Sequence, residues 1–259
     1  MSKRNTQQRR HRIVQMINEQ GEVTVDALSQ SFETSEVTIR KDLSALEESG
    51  LLLRRYGGAI AIPSEFLNSE MDENISPKKQ AIALAAAKII QDHYRIILDY
   101  GQTTAALIPQ LSNKLGLVVM TNSLPVAMAL NNLEKPPTLL MTGGTWDPHS
   151  ESFQGQVAAS VLRSYDFDQL FIGADGLDLE NGTTTFHELT ALSGVMAEVA
   201  REVVVMIESN KIGRKIPNVE LLWQQIDTLI SDDDLNIEVK HQIELHGVQV
   251  ICAPCSNKK

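Results

Sequence analysis

The sequence predicts an α/β protein in two parts: an N-terminal winged helix-turn-helix and a C-terminal, mostly parallel α/β domain. Three observations predict it. Residues 6–50 carry three helical apolar stripes with capping residues between them, and a basic segment around Tyr56-Gly57-Gly58 follows at once. Beyond residue 77, continuous apolar runs alternate with helical segments, the pattern of a parallel sheet covered on both faces. Charge is also divided unevenly: residues 1–60 hold nine Lys and Arg against eight Asp and Glu, while the remainder holds fourteen against twenty-five.

At 259 residues, 42% hydrophobic and 22% charged, the chain has material for a sizeable core. That composition excludes a disordered tail protein and a collagen-like repeat, and two cysteines cannot make a disulfide scaffold. No run of eighteen apolar residues exists, so no membrane span is expected. The start, MSKRNTQQRRHR, is basic but lacks the apolar stretch of a secretory signal, and the cytoplasm is the expected location. A net charge of -10 argues against a nucleic-acid partner only as an average, because the first segment is far more positive than the rest. Lys3, Arg4, Arg9, Arg10 and Arg12 crowd the first dozen residues, and on charge alone they read as a solvated, frayed terminus.

Ile13, Val14 and Ile17 line one face of a helix over about 6–20, which Gly21 stops. Glu22-Val23-Thr24-Val25 is short and β-branched, and Thr24 can cap a second helix over about 25–32, with Val25, Leu28 and Phe32 inward. Glu33-Thr34 turns the chain. Ser35 caps a third helix in which Ile39, Leu43 and Leu46 form one stripe, and Gly50 ends it. Its outward positions hold Glu36, Thr38, Arg40, Lys41 and Ser44, side chains able to reach base edges or phosphates. In LLLRRYGGAIAI, two short β-type runs flank a glycine turn, and Arg54 and Arg55 on such a wing can lie along phosphates.

Residues 1–62 therefore form one domain and 63–77, bounded by prolines and rich in Glu, Asp, Ser and Asn, a linker. From 78 to 259 the α/β pattern runs: a helix in KKQAIALAAAKIIQD, the strand RIILDY, a helix near 103–113, the strand LVVMT, a helix near 123–132, then strands TLLMTG, QLFIGA, EVVVMI, DTLIS and VQVIC. Ligands of such sheets bind beyond the carboxyl ends of the strands.

Polar, glycine-containing turns stand at those ends. Asp99 to Thr104 follows the first strand, with Gly101 allowing close backbone approach and Gln102, Thr103, Thr104 and the helix amides placed for a phosphate. Thr121-Asn122-Ser123, Thr142-Gly143-Gly144, Gly173 to Gly176 with Asp175, Gly182 to Thr185 with Glu188, and Glu208 to Lys211 follow later strands or lie shortly after. Each alone is an ordinary turn with a helix cap. Together at one sheet edge they point to a small, polyhydroxylated, anionic ligand, with Thr and Asn for hydroxyls and Lys211 for phosphate. Asp99, Asp175 and Glu188 also suit acid–base chemistry, so an enzyme is the rival reading. Cys252 and Cys255 form a lone pair with no second pair to complete a zinc site, and the six histidines show no ligand spacing; no metal and no cofactor is expected. Of the two tryptophans, Trp146, beside the Gly143-Gly144 turn, is the better candidate to touch a ligand.

The stretch VDALSQSFETSEVTIRKDLSALEESGLLLRRYGGAI resembles the DNA-binding signature of DeoR-type bacterial repressors in sixteen positions: Val25, Leu28, Phe32, Ser35, Thr38, Ile39, Arg40, Asp42, Leu43, Leu46, Glu47, Gly50, Arg54, Tyr56, Gly57 and Gly58. Tyr56 stands where many members carry histidine. The resemblance implies a DNA-facing set of Ser35, Glu36, Thr38, Arg40, Lys41, Ser44, Arg54, Arg55 and Tyr56, with Asp42 and Glu47 structural and Asp42 linked to Arg40 or Arg54. It extends through Ile97 to Thr104, Thr121 to Ser123, Gly143-Gly144, Gly173 to Asp178, Gly182 to Glu188 and Ser209 to Arg214, covering about residues 9–252. In that family the second domain is similar to the ribose-5-phosphate isomerase fold and binds a phosphorylated sugar or polyol without turnover. The effector set so implied is Asp99, Gly101, Gln102, Thr103, Thr104, Thr121, Asn122, Ser123, Gly143, Gly144, Asp175, Thr185, Glu188 and Lys211. Gln102, His187 and Asn210 depart from the family pattern. The expected partners are double-stranded operator DNA, a phosphorylated sugar and further copies of the chain in a dimer or tetramer; the alternative is an isomerase-type enzyme fused to a DNA-binding module.

Overall fold

A computed structural model of the chain describes residues 3–48, 51–55, 57–61, 75–148, 150–185, 190–214, 216 and 218–255. The chain divides into two compact units, Met1–Asp72 and Glu73–Lys259.

In the first unit, α1 (Lys3–Gln20) ends where the Gly21 amide donates to the Ile17 carbonyl. The next run forms a strand, β1 (Glu22–Thr24). Thr24 then caps α2 (Val25–Ser31) by accepting from the Ala27 amide. Ser35 Oγ accepts from the Thr38 amide at 3.3 Å and opens α3 (Glu36–Glu48); the expected stop at Gly50 lies outside the described residues. β2 (Leu53–Arg55) and β3 (Gly58–Ile60) pair antiparallel, Arg55 opposite Gly58. The expected two-stranded wing has a third strand, because β1 pairs with β3 on its other edge. Gly58 makes that possible: a Cβ there would collide with the Val23 carbonyl, so a side chain would push the strands apart. Ile13, Ile17, Leu28, Ile39, Leu43 and Leu46 meet in one core, as their spacing predicts.

The second unit holds a seven-stranded parallel sheet. Its elements are α4 (Pro77–Ile89), β4 (Arg95–Leu98), α5 (Gln102–Ala105), α6 (Ile108–Leu111), β5 (Val118–Thr121), α7 (Leu124–Asn131) and β6 (Thr138–Met141). There follow β7 (Thr145–Asp147), β8 (Ser152–Gln154), α8 (Gln156–Leu162), β9 (Phe167–Gly173), β10 (Gly176–Asp178), β11 (Gly182–Thr185) and α9 (Ala191–Val199). The unit closes with β12 (Ala200–Met206), β13 (Asn218–Leu222), β14 (Thr228–Asp232), α10 (Ile237–Glu244) and β15 (Gln249–Ala253). The sheet order is β15-β14-β12-β9-β4-β5-β6, every pairing parallel. All seven expected strands are in it. Alternate residues serve opposite faces: Ile96 and Leu98 enter one core, Ile97 the other.

Two expectations are corrected. The helix read near 103–113 is two short helices, because Pro109 at the second position of α6 has no amide to continue the ladder from α5. Gly182 to Thr185, read as a capped turn, is strand β11, fully buried between β10 and β13 in a small antiparallel sheet.

Candidate functional site

On the first unit, α3 presents an exposed face with its polar groups held in place. Arg40 donates to Glu36 at 2.9 Å, one turn back, both side chains 53% exposed. Lys41 is exposed and Thr38 bonds Ser35. Arg54 of the wing reaches Ser44 at 2.7 Å, and its amide donates to Glu47. Arg55 pairs with Glu22 at 2.7 Å. Tyr56 lies outside the described residues. The expected partner of Asp42 was Arg40 or Arg54. Instead its buried carboxylate takes Arg9 Nε on one oxygen at 2.6 Å and Arg10 Nε on the other at 2.8 Å. Arg9 and Arg10, read as part of a frayed terminus, therefore fasten α1 to α3.

On the second unit, topology sets the site. β4 and β9 are neighbours at the middle of the sheet; from β4 the chain moves outward through β5 and β6, and from β9 it moves the other way through β12, β14 and β15. Connections leaving their carboxyl ends diverge and open a crevice. Asp99 follows β4 and Asp175 follows β9. Gly101 holds a φ of +121°, a region costly for any other residue, and this turns the chain sharply beyond Asp99.

Burial pushes the Asp99 carboxyl up to about 7, against bonds from the Tyr100 amide and the Asn122 side chain that favour its charge. Burial likewise raises Glu220, on β13, to about 8; the charge of Asp99 adds to this, Ser193 opposes it at 2.7 Å, Asp175 adds again, and Thr183 opposes. Tyr100 is held well above the usual phenol range by burial and by Asp99, Glu220, Asp175 and Asp147. The charges of Asp99, Glu220, Asp175 and Asp147 thus all bear on Tyr100, and those of Asp99 and Asp175 on Glu220. Asn122 is buried beside them, and its Oδ1 has no donor among the described residues.

Several expected ligand groups are committed to the scaffold. Thr104 is fully buried and its hydroxyl meets the carbonyls of Asp99 and Gly101, each at 2.9 Å, so it braces the turn. Thr121 Oγ1 accepts from the Ser123 amide, and Ser123 caps α7. Thr185 donates to Asp175 at 2.7 Å. With α5 only four residues long, the anion site expected at its amides has little dipole behind it. Thr103 is buried; Gly143 and Gly144 form the turn before β7. Trp146, 42% exposed, meets Phe153 edge-on. Glu188 and His187 lie outside the described residues.

Lys79, at the start of α4, was not anticipated. Its Nζ lies 2.6 Å from Gln102 Oε1 and 3.9 Å from Glu208. Ser76 donates to Glu208 at 2.9 Å, and Lys78 bridges Asp232 and Asp234. Lys211 is buried in the turn after β12. Glu220 and Tyr100 were missed as well. A carboxylate inside the apolar run VELLW was the available signal for Glu220. Lysines and carboxyls thus share one sheet edge, which suits a ligand with a phosphate and several hydroxyls. Among the described residues, no cluster of three or more His, Cys, Asp or Glu is arranged to hold a metal, and no helix is long and apolar enough to cross a membrane.

Residues 9–65 match the DeoR-like helix-turn-helix domain, and residues 75–233 match the DeoR C terminal sensor domain. A protein of Escherichia coli O157:H7 named for repression of the aga operon is 37% identical over 254 residues, 95% of this chain and 93% of its own. The transcriptional regulator GlpR of Haloferax volcanii is 31% identical, across 94% of this chain and 96% of its own. Among solved structures, ribose 5-phosphate isomerase A of Methanocaldococcus jannaschii shares 23% identity over 52% of this chain and 53% of that one, with a TM-score of 0.39.

Proposed function

This chain belongs to the DeoR family of transcriptional regulators, and from that premise we propose that it represses a sugar, polyol or amino-sugar operon under the control of a phosphorylated effector. The first unit reads operator DNA: α3 enters the major groove with Thr38, Arg40, Lys41 and Ser44, and the wing sets Arg54 and Arg55 against phosphates. Copies of the chain, as a dimer or tetramer in the cytoplasm, present paired heads to repeated half-sites. The second unit binds the effector in the crevice between β4 and β9. Lys79 and Lys211 take the phosphate; Asp99, Asn122, Asp175 and Glu220 take the hydroxyls.

The observation that carries this reading is the placement of Asp99 and Asp175 just after β4 and β9, the neighbouring strands at the switch point of the sheet, with Thr185 of β11 donating to Asp175 and Glu220 on β13, the strand paired with β11. Two carboxyls raised to about 7 and 8 can donate as well as accept hydrogen bonds near neutral pH, which suits hydroxyl groups that do both. Effector binding shifts DNA affinity only if the effector binds the DNA-competent and DNA-incompetent states of the protein with different affinity.

The same raised carboxyls favour the second reading, an isomerase, since acid–base catalysis uses such groups. One experiment separates the two. Purified protein is screened by thermal shift against a panel of sugar phosphates, and each stabilising compound is then assayed for conversion. Stabilisation without product supports a sensor; sustained product formation reverses the assignment.

A further inference from the structure

α3 turns by about 100° per residue, so its contacts can be placed around its axis. Ile39, Leu43 and Leu46 face the core. Ser44 and Glu47, on one side of that stripe, hold Arg54 of the wing. Asp42 lies about 160° around from Ser44, on the far side of the exposed arc that includes Lys41, and it holds Arg9 and Arg10 of α1. The exposed face of α3 is therefore flanked by arginine on both sides.

The two arginines on Asp42 are not equivalent. Arg9 keeps 9% of its side chain exposed, and its charge is taken up by the carboxylate. Arg10 bonds the same carboxylate through Nε and keeps 35% exposed. One carboxylate cannot neutralise two guanidinium groups, so the cluster holds an excess positive charge. Among the described residues, the two terminal nitrogens of Arg10 make no hydrogen bond.

We propose that Arg10 is a phosphate-contacting residue of the DNA interface, aimed by Asp42. This rests on the assignment of the first unit as a DNA reader. A helix seated in the major groove has a phosphate backbone on each side of it. The wing arginines serve one backbone; Arg10 serves the other. Its Nε is fixed, which leaves the outer fork of the guanidinium set for bidentate contact with phosphate oxygens at little cost in side-chain freedom. Such a contact strengthens binding to every sequence alike and carries no base preference.

The test compares full-length wild type with R10Q. Glutamine places an amide nitrogen at the chain position of arginine Nε, so the bond to Asp42 can persist while the outer guanidinium is removed. Binding to a 30-base-pair duplex of mixed sequence, about three helical turns long, is measured across a salt series, with R10K alongside and thermal midpoints recorded. The expected result is a several-fold loss of affinity in R10Q. The slope of log affinity against log salt shrinks by about 0.9, one phosphate contact. The thermal midpoint of R10Q matches wild type, and R10K recovers most of the slope. A slope in R10Q equal to wild type overturns the assignment of Arg10, as does a fallen midpoint with the slope unchanged, which would mark a structural role alone. A wild-type chain that binds no duplex at any salt instead overturns the DNA-reading assignment itself.

Discussion

Lys79 Nζ donates to Gln102 Oε1 at 2.6 Å, which ties the first helix of the second unit to the turn that follows β4. Gln102 stands where the family usually has serine or threonine. The longer amide is what spans the gap to α4, so the departure from the pattern builds a contact of its own.

Lys79 is a cation in direct contact with that turn, with Glu208 at 3.9 Å as another partner. Replacing it with methionine keeps the aliphatic stem and removes the charge. K79M is expected to weaken sugar-phosphate binding by about one to two powers of ten, since a hydrogen bond to a charged group contributes about 1.5–3 kcal/mol. Affinity for the unphosphorylated sugar is expected to stay unchanged. Isothermal titration with both compounds checks this.

Asp99 and Glu220 predict an unusual pH dependence. Their folded pKa values, about 7 and about 8, lie above the ordinary carboxyl values of 3.8 and 4.5. The folded state therefore binds more protons than the unfolded state in that window. The stability from these groups is complete below about pH 4 and is lost as pH rises through 7 and 8. E220Q stays neutral throughout. The thermal midpoint of wild type is expected to fall more steeply than that of E220Q between pH 5 and 8.5, by about 2–4 °C for each kcal/mol of difference. Parallel curves would contradict the environment described for Glu220.

Much of the architecture is legible in local sequence. The seven strands of the main sheet are apolar runs, and the caps at Thr24, Ser35 and Ser123 stand where their helices begin. What is not legible depends on distance along the chain. Arg9 and Asp42 are 33 residues apart, and no periodicity in either segment reveals the bond. Gly182 to Thr185 has turn composition, yet its strand is fixed by neighbours β10 and β13. Of the expected effector set, Asp99, Asn122 and Asp175 are brought together, whereas Thr104 and Thr121 spend their hydroxyls inside the scaffold. Lys79 and Glu220 enter the site only because topology delivers α4 and β13 to the edge where β4 ends.

Asp42 is predicted to be a structural keystone of the first unit. D42A leaves two arginines without their shared carboxylate, one of them with only 9% of its side chain exposed. A loss of about 3–5 kcal/mol in that unit is expected, in line with stranded buried charge elsewhere. Urea denaturation of the full chain, followed by helix signal, measures it; a loss under about 1 kcal/mol would show the pair to be weak.

Thr104 braces the Asp99 turn from inside. T104V keeps the shape and removes the hydroxyl that serves two carbonyls. A stability loss of about 1–3 kcal/mol is expected, together with weaker effector binding through a loosened turn. Binding to DNA is expected to persist, and loss of DNA binding in the folded variant would contradict the separation of roles.

Arg40 serves the opposite test. Its pair with Glu36 is exposed on both sides and weak enough to exchange for DNA. R40A is expected to lower operator affinity by about 1–3 kcal/mol and to leave sugar-phosphate stabilisation of the protein intact.

The most direct measurement is a titration of the protein–operator complex, on an operator fragment selected from random duplexes, with sugar phosphates and their unphosphorylated counterparts, followed by fluorescence anisotropy with product analysis. A change in DNA affinity with at least one phosphorylated compound, none with its free sugar, and no conversion of either is the result expected of a repressor that senses without turnover. An anisotropy indifferent to the whole panel, or steady conversion of the active compound, would contradict it.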